Sequence, residues 1–289
     1  MFRKISSLVC AAAMIVMAGC IDATTVLKVK KDGSGVIVES VYFGKGFIKM
    51  MEQMTAQMGA AMGGAPSTAN KPFDPPLEVE KYKSKASLMG EGVTYQSSKK
   101  VQKSDGSQGI QIVYGFTDVN KVKLSSQPDT GAPGPGAGAD QEVKDPITFK
   151  MAKTGKPKLV ILMPKPDPAK ASAGQADVKG PDGKAPEMPP EQMKEMKQMF
   201  DGLRMRMAIM VDGKITKSNA TYQEKDKDGN SHIVTIFDMN FGKLINDDAA
   251  FKKIAAMGNM QDMATAKEKL KGIEGIRIET NDKVEVEFE

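Results

Sequence analysis

The side chain best suited to covalent chemistry is the thiol of Cys20, which follows Ala18 and Gly19 at the end of an apolar run, Ile5 to Met17. The other cysteine, Cys10, lies inside that run. A lone thiol in an exported chain either pairs between chains or is chemically modified. Methionine is the second candidate, with 22 in the chain, including Met193, Met196 and Met199 at steps of three and Met205 and Met207 at a step of two. Thioethers are soft ligands that select Cu(I). Met193 and Met196, however, share a helical stripe with Phe200 and Leu203, and Met205 and Met207 share a strand face with Leu203 and Ile209, none of which can ligate. Methionine on such stripes is an adaptable core filler. His232, the single histidine, stands beside the Asp228-Gly229 turn with no second histidine or cysteine nucleophile to work with. Neither a Gly-x-Ser-x-Gly elbow nor an HExxH helix occurs in the sequence. No catalytic residue, cofactor or metal ligand is assigned, and the chain is read as non-enzymatic.

The elements around Cys20 decide what its thiol does. Arg3 and Lys4 open the chain, the apolar run follows, and small residues precede the cysteine. That order is a secretory signal of residues 1–19, because a spanning helix needs about 20 apolar residues. The Ala18-Gly19-Cys20 end resembles a bacterial lipobox, in which the cysteine takes a diacylglyceryl group and becomes the first mature residue. Two or more acyl chains give stable attachment where one is marginal. Cys20 is therefore the expected lipidation site, and the membrane the expected partner.

Without Arg3 and Lys4 the 41 basic residues fall to 39, against 36 acidic ones. So even a balance excludes a dedicated nucleic-acid binder. Three Pro/Gly/Ala-rich stretches, 63–76, 125–145 and 164–190, have little to bury and read as disordered loops. Between them hairpins alternate with helices. Asp32-Gly33, Asp105-Gly106 and Asp228-Gly229 each punctuate two β-rich runs. At the end, Ile276, Ile278, Val284, Val286 and Phe288 alternate with Arg277, Glu279, Glu285, Glu287 and Glu289, which predicts an antiparallel hairpin with its acids in water. Phe47, Met51, Met54, Met58 and Met62 fall at helical steps up to Gly63-Gly64; residues 77–89 read as a further helix. Another helix follows Pro189-Pro190, and two more end at Gly258 and Gly272, the first capped by Asn246.

Met17-Ala-Gly-Cys20, the Lys31-Asp-Gly-Ser-Gly35 hairpin and the segment "GKITKSNA" (213–220) together resemble LppM-like bacterial membrane lipoproteins. The resemblance implies an exported α+β domain held at a membrane, with a fold likened to lipid-binding domains. It implies no catalytic residues. Members often carry a C-terminal transmembrane helix, whereas this sequence closes on the strand ending at Glu289.

The expectation is thus an α+β fold, an antiparallel hairpin-built sheet with amphipathic helices packed on one face. Residues 20–289 form one discontinuous domain, the alternative being two lobes, 21–163 and 191–289. Function is read as a lipid-anchored cell-envelope protein, in the cell membrane or outer membrane and facing periplasm or exterior. It would bind a lipid or another envelope component. Phe47, Met51, Met54 and Met58 would wall an apolar ligand groove with lysines at its rim. Lys28, Lys30 and Lys31, just beyond the anchor, could lie on anionic headgroups, the alternative being a solvated strand face. A methionine-based Cu(I) carrier and an enzyme with an unrecognised site stay open as alternatives.

Overall fold

The computed structural model describes residues 21–49, 51–52, 73–126, 146–152, 155–164, 191, 197, 202–225, 229–245, 247–250, 270 and 272–289. Turn chemistry builds the first sheet. β1 (Ile21–Val29) and β2 (Gly35–Phe43) pair antiparallel from Ile21 with Phe43 to Val29 with Gly35. Between them the Asp32 carboxylate accepts the Ser34 amide at 2.9 Å, and Gly33 takes φ +82°, a conformation that costs a side chain but not glycine. β3 (Thr94–Gln102) and β4 (Gln108–Phe116) repeat the device, with Asp105 accepting the Ser107 amide at 2.8 Å. β4 then pairs with β2.

The opposite flank of β1 is taken by β8 (Arg204–Val211), which runs parallel to it from Asp22 with Arg204 to Val29 with Val211. β11 (Ser231–Asn240) pairs antiparallel with β8 and carries β10 (Gln223–Lys225) and β12 (Ile276–Ile278). The large sheet therefore reads β10-β11-β8-β1-β2-β4-β3, with β12 on β11. A second sheet reads β5 (Lys123–Leu124), β6 (Ile147–Met151), β7 (Lys158–Leu162), β13 (Lys283–Phe288), β9 (Ile215–Ser218). Both sheets draw strands from either side of residues 165–190.

One apolar core joins them. Ile21, Leu27 and Val29 of β1 and Ile37 of β2 are buried, as are Phe149, Leu159, Ile161, Val284, Val286 and Phe288 of the small sheet. Each fully buried side chain of this size stabilises by about 1.5–3 kcal/mol. Three chain segments tie the sheets at one end. The Val119 amide donates to the Gly33 carbonyl, the Asp212 amide to Val29, and the Lys214 amide to Glu289.

The expected α+β class is corrected by this architecture. Among the described residues thirteen strands make two sheets, and the helices are short: α1 (Val79–Leu88), α2 (Phe241–Leu244), a 3-10 turn (Val119–Lys121) and residues 45–49 with 51–52. The second sheet, whose own alternation supplies apolar residues, shares the core with the large one, and short helices add only part of it. The sheet is not purely antiparallel either, given β1 beside β8. Nor do the terminal strands form a hairpin: β12 joins β11 in the large sheet, and β13 lies between β7 and β9 in the small one.

Where helices were expected, α1 is present and sends Tyr82 and Ala86 into the core, Tyr82 stacking on Tyr95 at 6.5 Å. Its Lys85 reaches the Glu39 carboxylate at 2.8 Å. Gly272 has φ +79°, as a helix-ending glycine does. Asn246 and Gly258 lie outside the described residues; the Asp247 carboxylate accepts the Ala249 and Ala250 amides, each at 3.0 Å. Met62, Gly63-Gly64, Met193, Met196, Met199 and Phe200 are also outside, as are most of the three loop stretches. At the end of the first stretch, Phe73 is half-buried against Phe43 and Phe47, so residues 73–76 are tied to the body.

Candidate functional site

Cys20 and the signal segment 1–19 lie outside the described residues, but Ile21, bonded to Cys20, is the first residue of β1. It is 3% exposed and faces Phe43 across the sheet. No spacer separates Cys20 from a packed strand. The registers put Phe43, Gln108, Gln102, Arg204 and Asn240 at this same end of the large sheet.

Several charges at this end and along the strands are held in pairs. Lys103 donates to Asp22 at 2.6 Å and lies 4.0 Å from the Tyr42 ring centre. Arg204 grips Asp238 with Nε at 2.9 Å and a terminal nitrogen at 2.8 Å. Those hydrogen bonds raise the guanidinium above its usual pKa. Arg206 reaches Glu224 at 2.6 Å, and the Thr235 hydroxyl donates to the same oxygen at 2.8 Å. Lys100 pairs with Asp74. The spacing of residues in the sequence does not reveal these pairs, since cross-strand partners are set by register.

Lys28, Lys30 and Lys31 are not beside the anchor. β1 carries the chain eight residues from Ile21 to Val29, about 26 Å at strand rise. Lys30 and Lys31 are in the turn at the far end. Sequence proximity to Cys20 misled because an extended strand is the fastest way for a chain to leave a point.

Of the residues assigned to the apolar groove, Phe47 is 5% exposed and stacks on Phe43 with ring centres 5.1 Å apart. Phe73 meets it edge-on at 6.2 Å. Met51 is half-buried against the same cluster, while Met54 and Met58 lie outside the described residues. Of the other described methionines, Met89, Met151, Met207 and Met239 are buried, and Met163 and Met205 are half-buried against the core. His232 is half-buried, and its Nδ1–H donates to the Gly213 carbonyl, fixing the tautomer and tying β11 to the turn after β8.

A shallow groove of about 620 Å³ opens on the face of the small sheet turned from the core, lined by Thr148, Lys150, Lys158, Val160 and Asn120. The Asn120 side-chain amide acts there as a short extra strand, accepting the Met151 amide at 2.7 Å and donating to its carbonyl at 3.3 Å. Beside the groove, Glu285 accepts from Lys158 at 2.6 Å and Lys283 at 2.5 Å. These hydrogen bonds, Lys158 first, pull its carboxyl from the usual 4.5 down to about 2. A value lowered on folding contributes stability above about pH 4.5 and loses it as pH falls toward 2. The pair is exposed, so salt weakens it. Carbon-13 NMR should show the Glu285 carboxyl titrating near 2, and returning toward 4.5 in a Lys158→Gln, Lys283→Gln double variant.

Glu279, expected in water, is 1% exposed. One oxygen accepts the Thr221 amide at 2.7 Å. The other accepts the Thr221 hydroxyl at 2.7 Å, the Asn281 amide at 2.9 Å and the Asn281 side chain at 3.0 Å. It sits where the chain crosses from the large sheet to the small one. Among the described residues no helix is long and apolar enough to cross a membrane. No family model matches the chain, and no curated protein does.

Proposed function

We propose that this chain is a lipid-anchored protein of the bacterial cell envelope, without catalytic activity, that binds a lipid or another envelope component. The observation that carries the reading is Ala18-Gly19-Cys20 at the end of an apolar run, with a packed strand starting at the next residue. An exported chain whose lone thiol is acylated needs no disulfide and no spanning helix to stay at a membrane. The resemblance to LppM-like lipoproteins points the same way. For the ligand, the helical residues 45–49 and 51–52 matter most: Phe73 meets the Phe43–Phe47 stack edge-on, and Met51 is half-buried against the core. Met54 and Met58 would extend that apolar wall, since methionine repacks around acyl chains of differing shape.

Mass spectrometry of the mature protein tests the anchor. The expected N-terminal tryptic peptide runs from Cys20 to Lys28 and carries acyl mass on the cysteine. A mature chain that starts elsewhere, or an unmodified Cys20, removes the reading.

A further inference from the structure

We infer that the lipidated protein stands upright on its membrane, the Ile21 end of the large sheet against the headgroups and the small sheet held away from them. The inference rests on the Cys20 anchor and adds to it a membrane-contact surface. Three features of the fold carry it.

The first is the missing spacer. Adjacent Cα atoms are about 3.8 Å apart, and Ile21 is already buried and in register with Phe43. The sequence therefore leaves no linker between the acylated residue and this packed strand. The polar layer on each side of a bilayer is only about 5–7 Å deep, so loops level with Ile21 meet it and the turn about 26 Å further along β1 does not.

The second is where β1 stands. In the order β10-β11-β8-β1-β2-β4-β3 it is the central strand, with three strands on each flank. At about 4.8 Å per strand the base spreads roughly 14 Å to each side of the anchor. On one side it ends in the turn Lys103–Ser107, and on the other in α2 after β11. A tether at the centre of such a base favours contact on both flanks over tipping onto one.

The third is charge. Lys103 and Arg204 are held by Asp22 and Asp238, and Lys45 lies over Gly106 beside Asp105. Paired charges of this kind suit zwitterionic headgroups and lessen the pull toward anionic lipid. Contact through Lys30 and Lys31 would instead invert the molecule and require anionic lipid.

Acylation consumes the Cys20 thiol, so a cysteine introduced into the full-length lipidated protein is its only free thiol. Ser104→Cys, Lys243→Cys and Lys31→Cys all fall at exposed positions, and each can carry a fluorophore after circular dichroism has shown native folding. The proteins are reconstituted in phosphatidylcholine vesicles containing a headgroup-nitroxide lipid, and again with phosphatidylglycerol added. The labels at 104 and 243 should be quenched several-fold more than the label at 31, in both compositions and at high salt. Equal or stronger quenching at 31, quenching at only one of 104 and 243, or contact that vanishes in neutral vesicles would overturn the upright stance. The peptide mass of the same samples separates the two failures. With Cys20 acylated, these results count against the orientation alone; an unacylated Cys20 overturns the anchor and the orientation with it.

Discussion

Replacing Glu279 by alanine should destabilise the protein by about 3–5 kcal/mol, the loss expected when a buried, hydrogen-bonded charge site is emptied. The carboxylate is 1% exposed and is the acceptor for four donors from Thr221 and Asn281. Two of these are backbone amides, and alanine leaves them without that acceptor in a site that water reaches poorly. Near 2–4 °C per kcal/mol for a chain of this size, the thermal midpoint should fall by roughly 8–15 °C. Glutamine keeps the shape and one acceptor oxygen but turns its NH2 toward the Thr221 amide or the Asn281 donors, so it should cost less, about 1–2 kcal/mol. Glu285→Ala is the comparison, since its carboxylate is strongly shifted yet faces solvent. That variant should lower the midpoint at neutral pH clearly less than Glu279→Ala, because its ion pairs are screened by solvent. Denaturant melts of the three variants decide the matter. Equal effects at 279 and 285 would mean that the sheet crossing is not where the polar cluster acts.

The error at Glu279 shows what could be read from the sequence and what could not. Alternation of Ile276, Ile278, Val284, Val286 and Phe288 correctly gave the apolar face of each strand, because side-chain period is local. It said nothing about partners. The clue against a hairpin was in the turn: Gly33, Gly106 and Gly229 supply positive φ in the turns between paired strands, while Thr280-Asn281-Asp282 has no glycine. Turns of the first kind were legible for the same reason, as was α1. Parallel pairing of β1 with β8 was not, since about 170 residues separate the two and neither strand is marked for the other. The same limit hid Asp238 and Glu224 as partners of Arg204 and Arg206. Lys28 to Lys31 failed differently. Their distance from the anchor follows from strand rise alone, once residues 21–29 are accepted as a strand.

That distance changes how the envelope reading works. A cationic segment next to the lipid would have made anionic headgroups the natural ligand. With those lysines at the far end, the proposed attachment would fall to the acyl chains and to a rim in which Lys103 and Arg204 are already paired. In the proposed stance the small sheet and its groove, beside the turn that carries Lys30 and Lys31, would face away from the membrane. In this arrangement the stiffness of the join between the two sheets matters, because it sets how the outer sheet is presented.

Gly213 is a tight point of that join, and Gly213→Ala should cost about 2–5 kcal/mol, from backbone strain and overpacking together. Its φ is +145°, a region nearly closed to side chains, and a Cβ there would lie 2.1 Å from the Glu289 carbonyl oxygen. That oxygen accepts the Lys214 amide at 2.9 Å, so the end of β13 cannot withdraw without losing the bond that seats it beside β9. The Gly213 carbonyl also receives the His232 imidazole N–H, which limits the turn from its other side. Gly229→Ala isolates the steric part. Its φ of +80° is also left-handed, but nothing lies within 4 Å of the added carbon. It should therefore cost only about 1 kcal/mol. Urea unfolding of both variants gives the difference. Comparable midpoints would show that β13 yields freely at Glu289, and the crossing after β8 would then be a loose hinge rather than a fixed corner.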